Sequence, residues 1–171
     1  GDWSNCHDFY YTLQPIMELA GKTMGIYGLG KIGQKVADLA LAFDMQVLAT
    51  HKHPERDAKA GVTFVDLETL FTESDIISLH APLTSKNEGI VNTKLLSKMK
   101  PTAYLINTGR GGLINESDLK AALQAGHLAG AGLDVLSVEP PVDGNTLFDA
   151  PNCIITPHIA WATQAARQRL M

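Results

Sequence analysis

Short apolar runs alternate with stretches of helical periodicity along most of this chain, and that alternation limits the folds open to it. Strands that alternate with helices form βαβ units, in which the strands lie parallel and the helices cover the sheet. The sequence therefore predicts an α/β fold, a Rossmann-type doubly wound parallel sheet with helices on both faces. The predicted strands are residues 23–27, 46–49, 62–64, 75–79, 103–106, 131–134 and 153–156.

Three helices are predicted in more detail. Asp66 is expected to cap a short helix, and either Asn115 or Ser117 a later one that Gly126 ends. The helix after the first strand has an apolar side that suits packing on the sheet, formed by Ile32, Val36, Leu39, Ala40 and Phe43.

Composition excludes several classes of function. The 171 residues are 45% hydrophobic and 19% charged, which predicts one soluble domain with one good core. A net charge of −4 without a basic run argues against nucleic-acid and membrane partners, and no apolar run approaches the roughly 20 residues that span a bilayer. A cytoplasmic location is expected. Cys6 and Cys153 fit neither a disulfide framework nor a zinc site, so we expect two reduced thiols, one exposed and one buried.

A glycine motif follows the first predicted strand. Gly28, Gly30 and Gly33 form GxGxxG at the start of the first helix, which is the setting in which this motif binds a dinucleotide. Gly28 would permit the tight turn, Gly30 the approach of a pyrophosphate, and Gly33 close contact between helix and strand. The phosphates would lie at the amino end of the helix that begins near Lys31.

The sequence leaves the choice between NAD and NADP open. The acidic residue expected at the end of the second strand, where it would bind the ribose of NAD, is missing. His51 and Lys52 stand there instead, with Arg56 close behind, and these cations could face the 2′-phosphate of NADP. The alternative is that they are solvated loop residues and NAD binds through other contacts. No third ligand accompanies His51 and His53, so no metal site is predicted.

Three segments in the second half place chemically useful side chains at strand ends. They are NTGRGG with Arg110, DVLSVEP with Glu139 and TPHIAWAT with His158. A cation for a carboxylate, an imidazole for proton transfer and a carboxylate to orient it are the groups needed to reduce a 2-keto acid with a nicotinamide hydride. Each residue alone could be structural, but the ordered set favours an enzyme.

The order GLGKIG, SLHAPLT, LINTGRGGLIN, GAGLDVLSVEP, TPHIAWAT resembles the D-isomer-specific 2-hydroxyacid dehydrogenase family over nearly the whole chain. The HIAWAT segment and the WSNCHDFYY opening most resemble its glycerate dehydrogenase, or hydroxypyruvate reductase, branch. The resemblance implies that Arg110 grips the substrate carboxylate and that His158 is the general acid. It implies that Glu139 orients His158 and favours its protonated form. A glutamate at position 139, not a glutamine, argues against the related formate dehydrogenases.

The same resemblance implies further contacts to the cofactor, which would be NAD or NADP. Asp134 should lie near the nicotinamide amide, and His80 is either a direct contact or a partly buried loop histidine. The remaining positions are Lys31, Ile32, Ala81, Pro82, Thr108, Gly109 and Ala160.

Family members have a second domain built from chain before and after the cofactor domain. The resemblance therefore implies that residues 1–171 are the dinucleotide-binding domain and lack half of the substrate pocket. Residues 1–20 would form an arm that embraces a second subunit in a homodimer; otherwise their aromatic side chains fold back on their own sheet. Two other functions stay open: a dehydrogenase for another D-2-hydroxy acid, and a nucleotide-sensing, corepressor-like interaction module.

Overall fold

A computed structural model describes residues 1–13 and 16–171. Within these residues, seven strands form one sheet in the order β3-β2-β1-β4-β5-β6-β7, and every neighbouring pair is parallel. The Rossmann-type prediction is confirmed, and each predicted strand is present with ends that differ by at most one residue. The strands are β1 (Thr23–Tyr27), β2 (Gln46–Thr50), β3 (Val62–Phe64), β4 (Ile76–Leu79), β5 (Tyr104–Asn107), β6 (Gly130–Leu133) and β7 (Cys153–Ile155).

The strand order reverses between β1 and β4. From β1 the chain proceeds outward through β2 and β3, and it then crosses back to place β4 on the other side of β1. In sheets of this kind, ligands bind beyond the carboxyl ends of the strands at the point of reversal. The first residues after these two strands, Gly28 and His80, begin the loops that line this point.

The described chain has five α-helices, of which the first four lie between strands and the last follows β7: α1 (Lys31–Ala42), α2 (Leu67–Glu73), α3 (Thr93–Leu96), α4 (Glu116–Gln124) and α5 (Gln164–Leu170). The Asp66 side chain accepts from the backbone N–H of Thr69 and caps α2, as predicted. Asn115, not Ser117, caps α4, with its Oδ1 3.1 Å from the backbone nitrogen of Asp118. None of the helices in the described ranges is both long and apolar enough to cross a membrane.

Helix α1 packs on the sheet with a different side from the one predicted. Its buried residues are Gly33, Ala37 and Ala40, while Val36 is half-buried. The prediction was wrong for the three large side chains of the expected face, since Ile32 is 67%, Leu39 62% and Phe43 58% exposed. The reason is steric. Gly33 approaches the Gly28 backbone so closely that a Cβ there would clash with the Gly28 oxygen. The side of α1 that faces the sheet must therefore consist of small residues.

The core has two apolar clusters, one on each face of the sheet. Ile76 and Ile77 point to opposite faces because side chains alternate along a strand. Ile77 packs in the larger cluster with α2, α3 and α4, whereas Ile76 packs against the smaller one beneath α1. The sheet is thus covered on both faces around β1, β2 and β4, where the strands are largely apolar, whereas Tyr104 of β5 and Ile154 of β7 remain exposed.

The two cysteines differ from their prediction. Cys6 and Cys153 are unpaired thiols, but both are half-buried, so neither matches the expected exposed or fully buried state. Cys153 begins β7 at the edge of the sheet, where it is only partly covered, and this partial burial raises the pKa of its thiol.

Candidate active site

The glycine loop joins β1 to α1, and its three glycines meet different surroundings. Gly28 has a φ of 98°, and a Cβ there would lie 2.6 Å from the backbone nitrogen of Ala81. Gly28 and Gly33 are therefore required by the fold itself. A Cβ at Gly30, in contrast, would meet no atom of the described residues within 4 Å. Gly30 is the N-cap of α1 and brings no side chain to its first-turn amides, so space and donors for a phosphate coincide here.

The glycine loop forms one wall of a groove of about 790 Å³. The opposite walls come from the residues that follow β2 and β4. Predicted cofactor residues from all three loops line it together, namely Gly28, Gly30, His51, Lys52, His80, Ala81 and Pro82. The groove lies at the reversal of strand order, where sheets of this kind bind ligands.

His51 is held by two contacts at the end of β2. Its Nδ1 accepts from the backbone N–H of Leu29 at 3.1 Å, and its Nε2 lies 2.6 Å from Asp57 Oδ2. Since Nδ1 accepts, Nε2 carries the proton and donates to Asp57. Arg56 donates to the same oxygen from Nε at 3.0 Å and from a terminal nitrogen. The hydrogen bond from Arg56 chiefly keeps the pKa of the Asp57 carboxyl below its ordinary value, assisted by His51 and opposed by partial burial.

Asp57 was missed by sequence reasoning, which sought an acidic residue at the end of β2 itself. The acid lies in the following loop instead and reaches the glycine loop through the His51 ring. Within the described ranges, no group of three or more His, Cys, Asp or Glu side chains could hold a metal ion.

His80 follows β4 and faces the same groove. Its Nε2 lies 2.8 Å from Ser78 Oγ, and its backbone nitrogen donates to the Tyr27 oxygen at 2.8 Å. Burial lowers the pKa of the His80 imidazole, which favours its neutral form. His80 is therefore a partly buried loop histidine that also lines the groove.

The turn after β5 presents Arg110. Asn107 is buried at the end of β5 and binds both sides of the turn: its Oδ1 accepts from Gly109 N at 3.0 Å, and its Nδ2 donates to the Arg110 oxygen at 2.9 Å. The Arg110 side chain is exposed and donates to the backbone oxygen of Gly109 at 2.7 Å. Sequence reasoning missed Asn107, although an asparagine that opens a glycine-containing turn is a recognisable signal.

Asp134 follows β6 and holds the turn that carries His158. Its carboxylate accepts from the backbone nitrogens of Ile159 at 2.9 Å and Ala160 at 2.8 Å, and from the Thr156 hydroxyl. Burial opposes the charged form, but these hydrogen bonds and the charge of His158 outweigh it and leave the Asp134 pKa below its ordinary value. The contacts explain how His158 keeps its left-handed backbone, with a φ of 53°.

Glu139 and His158 form a close pair. Glu139 Oε2 lies 2.6 Å from His158 Nδ1, and Glu139 Oε1 accepts from the backbone nitrogen of Leu136 at 2.7 Å. Because both oxygens are engaged, the carboxylate has one orientation and keeps a proton on Nδ1. The Nε2 atom is then the ring position that can release or take up a proton.

Arg110, Glu139 and His158 line one cleft of about 170 Å³ with Leu83 and Gly112. The fold thus brings together three residues that the sequence spreads over its second half. The cleft brings a guanidinium and an imidazole–carboxylate pair together beyond the carboxyl ends of the strands. Together with the groove, it defines the class of protein: a Rossmann-type domain with a groove suited to a dinucleotide and, in a separate cleft, a histidine–carboxylate pair.

The chain belongs to the D-isomer specific 2-hydroxyacid dehydrogenase family, whose NAD binding domain matches residues 1–160. It is 47% identical over 172 aligned residues to a glycerate dehydrogenase of Methylorubrum extorquens, covering 99% of this chain and 53% of that protein. It is 46% identical to a hydroxypyruvate reductase of Blautia hydrogenotrophica, with coverage of 100% and 53%. The chain therefore spans about half the length of these relatives.

Solved structures agree with this membership. The NAD-complexed D-isomer specific 2-hydroxyacid dehydrogenase of Lactobacillus delbrueckii ssp. bulgaricus superposes with a TM-score of 0.83 at 37% identity, over 94% of this chain and 53% of that one. An acyclic imino acid reductase in complex with NADPH and D-Arg gives a TM-score of 0.85 at 39% identity, over 97% and 52%. Both nicotinamide dinucleotides thus occur among structures of this shape.

Proposed function

We propose that this chain is the cofactor domain of an NAD(P)-dependent D-2-hydroxyacid dehydrogenase that interconverts hydroxypyruvate and D-glycerate. The observation that carries the proposal is the 2.6 Å contact between Glu139 and His158 in the cleft that Arg110 also lines. The names of the two relatives support this substrate over other 2-keto acids, such as those of D-lactate dehydrogenases.

In this proposal, Arg110 binds the substrate carboxylate. A planar guanidinium can donate two parallel hydrogen bonds to a carboxylate, which fixes the position and the orientation of the keto acid. The contact from Arg110 to the backbone oxygen of Gly109 already holds one nitrogen of the guanidinium in place. Substrate binding would use the donors that point away from the backbone.

His158 is the proposed general acid. Gly30 with the first turn of α1 would hold the phosphates of a nicotinamide dinucleotide, which when bound would supply the hydride for the keto carbon. His158 Nε2–H donates its proton to the keto oxygen, which gives the hydroxy acid and a neutral imidazole. Glu139 holds Nδ1–H throughout, so the ring keeps its orientation in both directions of the reaction.

Other predicted contacts keep their assignments as part of this proposal. Lys31, Ile32, Thr108, Gly109 and Ala160 would lie along the dinucleotide. The side chain of Asp134 already holds the His158 turn, so any contact with the nicotinamide amide would add to that role.

We further propose that a second domain completes the substrate pocket. The Arg110 side chain is exposed, and the cleft of about 170 Å³ lies open at the surface. Hydride transfer requires a positioned substrate and the exclusion of water, which an open cleft does not provide. The 171-residue chain should therefore bind dinucleotide but turn over substrate poorly. The cytoplasmic location predicted from composition belongs to this proposal too.

The proposal includes a homodimer. Residues 1–20, the predicted arm, contain residues 14 and 15, which lie outside the described part of the chain. In the rest of the arm, Trp3 is 65% and Phe9 90% exposed, which favours an arm that reaches outward over one folded back on its own sheet. The exposed apolar side of α1 supports the same conclusion.

Replacement of His158 tests the function. In the full-length enzyme, His158→Gln should lower kcat for hydroxypyruvate reduction by about 100-fold or more, the usual contribution of a general acid. The affinity of the chain for NADH should stay unchanged. His127→Gln is the matched control, because His127 is exposed in the loop after α4.

Unchanged turnover of His158→Gln would exclude His158 as the acid. If the unaltered full-length protein bound NADH but reduced neither hydroxypyruvate nor another 2-keto acid, the interaction-module alternative would replace the enzyme.

A further inference from the structure

We propose that Glu116 is a positioning residue for the Glu139–His158 pair, an inference that rests on the proposed function. Glu116 is the first residue of α4 and does not line the cleft. Its Oε1 accepts from the backbone nitrogen of Ser137 at 2.7 Å. Its Oε2 accepts from Ser137 Oγ and from Asn145 Nδ2, each at 2.8 Å. This one half-buried carboxylate thus accepts three hydrogen bonds from a single loop.

That loop, residues 137–145, carries Glu139. Most of it is exposed, and Val142 at its centre is 81% exposed, so burial of its own side chains does not hold it in place. Ser137 and Asn145 are the residues at its two ends, and both are bound to Glu116. The second end is fixed further because Asn145 Oδ1 accepts from the backbone nitrogen of buried Leu147.

The contact at Ser137 transmits this constraint to the active site. Ser137 lies between Leu136, whose backbone nitrogen donates to Glu139 Oε1, and Glu139 itself. A fixed Ser137 therefore sets the turn that aims Glu139 Oε2 at His158 Nδ1. Hydrogen bonds to an ionised carboxylate are roughly twice as strong as those between neutral groups, so the charge on Glu116 strengthens its contacts with Ser137 and Asn145.

A different role for Glu116 would be stabilisation of α4 alone, since acidic residues in a first turn interact favourably with the helix dipole. Asp118 lies in the same first turn and allows the two roles to be separated. Its carboxylate accepts from the backbone nitrogen of Thr93 at 2.9 Å, on the side of α3 and away from the 137–145 loop. Asp118→Asn thus removes one first-turn charge without touching the loop.

Proton NMR of the 171-residue chain tests the proposal without any turnover. A His158 Nδ1 proton held by a carboxylate should give a far-downfield signal that exchanges slowly with water, and Glu139→Gln assigns it by removing it. Glu116→Gln should broaden or abolish this signal and speed amide exchange at Leu136 and Ser137 by about tenfold or more, as local opening becomes easier. Asp118→Asn should leave the signal and both exchange rates unchanged.

Ser137→Ala provides a second variant in case Glu116→Gln folds poorly. It removes one of the three donors from an exposed position, so a smaller change in the same direction is expected. If both variants kept the signal and the exchange rates of the unaltered chain, or if Asp118→Asn matched Glu116→Gln, the positioning role would be excluded.

The full-length enzyme supplies an independent readout. Glu116→Gln should lower kcat for hydroxypyruvate while the KM for NADH stays unchanged, because the dinucleotide groove does not involve the loop. Loss of the NMR signal together with an inactive unaltered enzyme would overturn the proposed function and leave the positioning role of Glu116 supported.

Discussion

Gly30 and Gly33 belong to one motif, but an added methyl group would have different effects at the two positions. Gly30→Ala places the methyl in the open space of the groove, so the fold should keep its Tm while NADH binding weakens by about tenfold or more, the cost of about 1.4 kcal/mol of lost contact. Gly33→Ala forces a clash with the Gly28 backbone, so besides weakening NADH binding it should lower the free energy of unfolding by about 1–3 kcal/mol. Thermal unfolding and calorimetric titration with NADH measure both quantities.

Gly126→Ala is the control for stability alone. Gly126 has a φ of 69° in the turn after α4, far from the groove, so alanine there should lower the Tm and leave NADH affinity intact. Binding of NADH to Gly30→Ala with unaltered affinity would mean that this glycine does not face the phosphates.

The residues that could be predicted from the sequence are those whose role depends on their place at a strand end. Arg110, Glu139 and His158 fall into this group, and the fold brings them into one cleft because parallel strands end at one edge of the sheet. Asn107 could have been recognised from the glycine-containing turn that it opens, whereas no pattern in the sequence marks Glu116. The partners of Glu116 are backbone and side-chain atoms of a loop that meet it only once the turns have formed.

The strands could be predicted almost to the residue, whereas the packing side of α1 could not. Runs buried on both faces of a sheet are apolar throughout, so a strand is evident whichever side it packs on. A helix must be assigned one side, and hydrophobicity alone selected Leu39 and Phe43. The close approach of Gly33 to Gly28 instead selects the side with small residues.

The loop between β2 and β3 should govern the choice between NADH and NADPH. A 2′-phosphate bound there must compete with Asp57 for Arg56, so Asp57→Asn should tighten NADPH relative to NADH. The ratio of the Kd values for NADPH and NADH should change by about two- to fivefold, which corresponds to the free energy of an exposed ion pair. Calorimetric titration of each variant with both cofactors gives the ratio of the two Kd values.

Asp38→Asn is the matched control, since Asp38 pairs with Lys35 and Lys59 on the surface and does not line the groove. An unchanged ratio in Asp57→Asn would show that the 2′-phosphate does not reach this loop.

The carboxyl edge of the sheet and the outer side of α1 are surfaces of different character. The carboxyl edge of the sheet holds the groove and the cleft, and two of its turns are held by the buried polar side chains of Asn107 and Asp134. The outer side of α1 has large apolar side chains that are mostly exposed. A surface of that kind in a monomer is unusual, and association would bury it without closing the groove.

The proposed dimer can be tested through that outer side of α1. Light scattering of the unaltered protein should give twice the 18.4 kDa mass of one chain. The double variant Leu39→Lys, Phe43→Lys should give the mass of one chain, because a dimer would have to bury two lysines without partners. Val142→Lys changes an apolar residue of the 137–145 loop that is 81% exposed, and it should leave the dimer intact. If the unaltered protein had the mass of one chain, this result would contradict the homodimer. Retained NADH binding by the monomeric variant would show that the groove is complete within one chain.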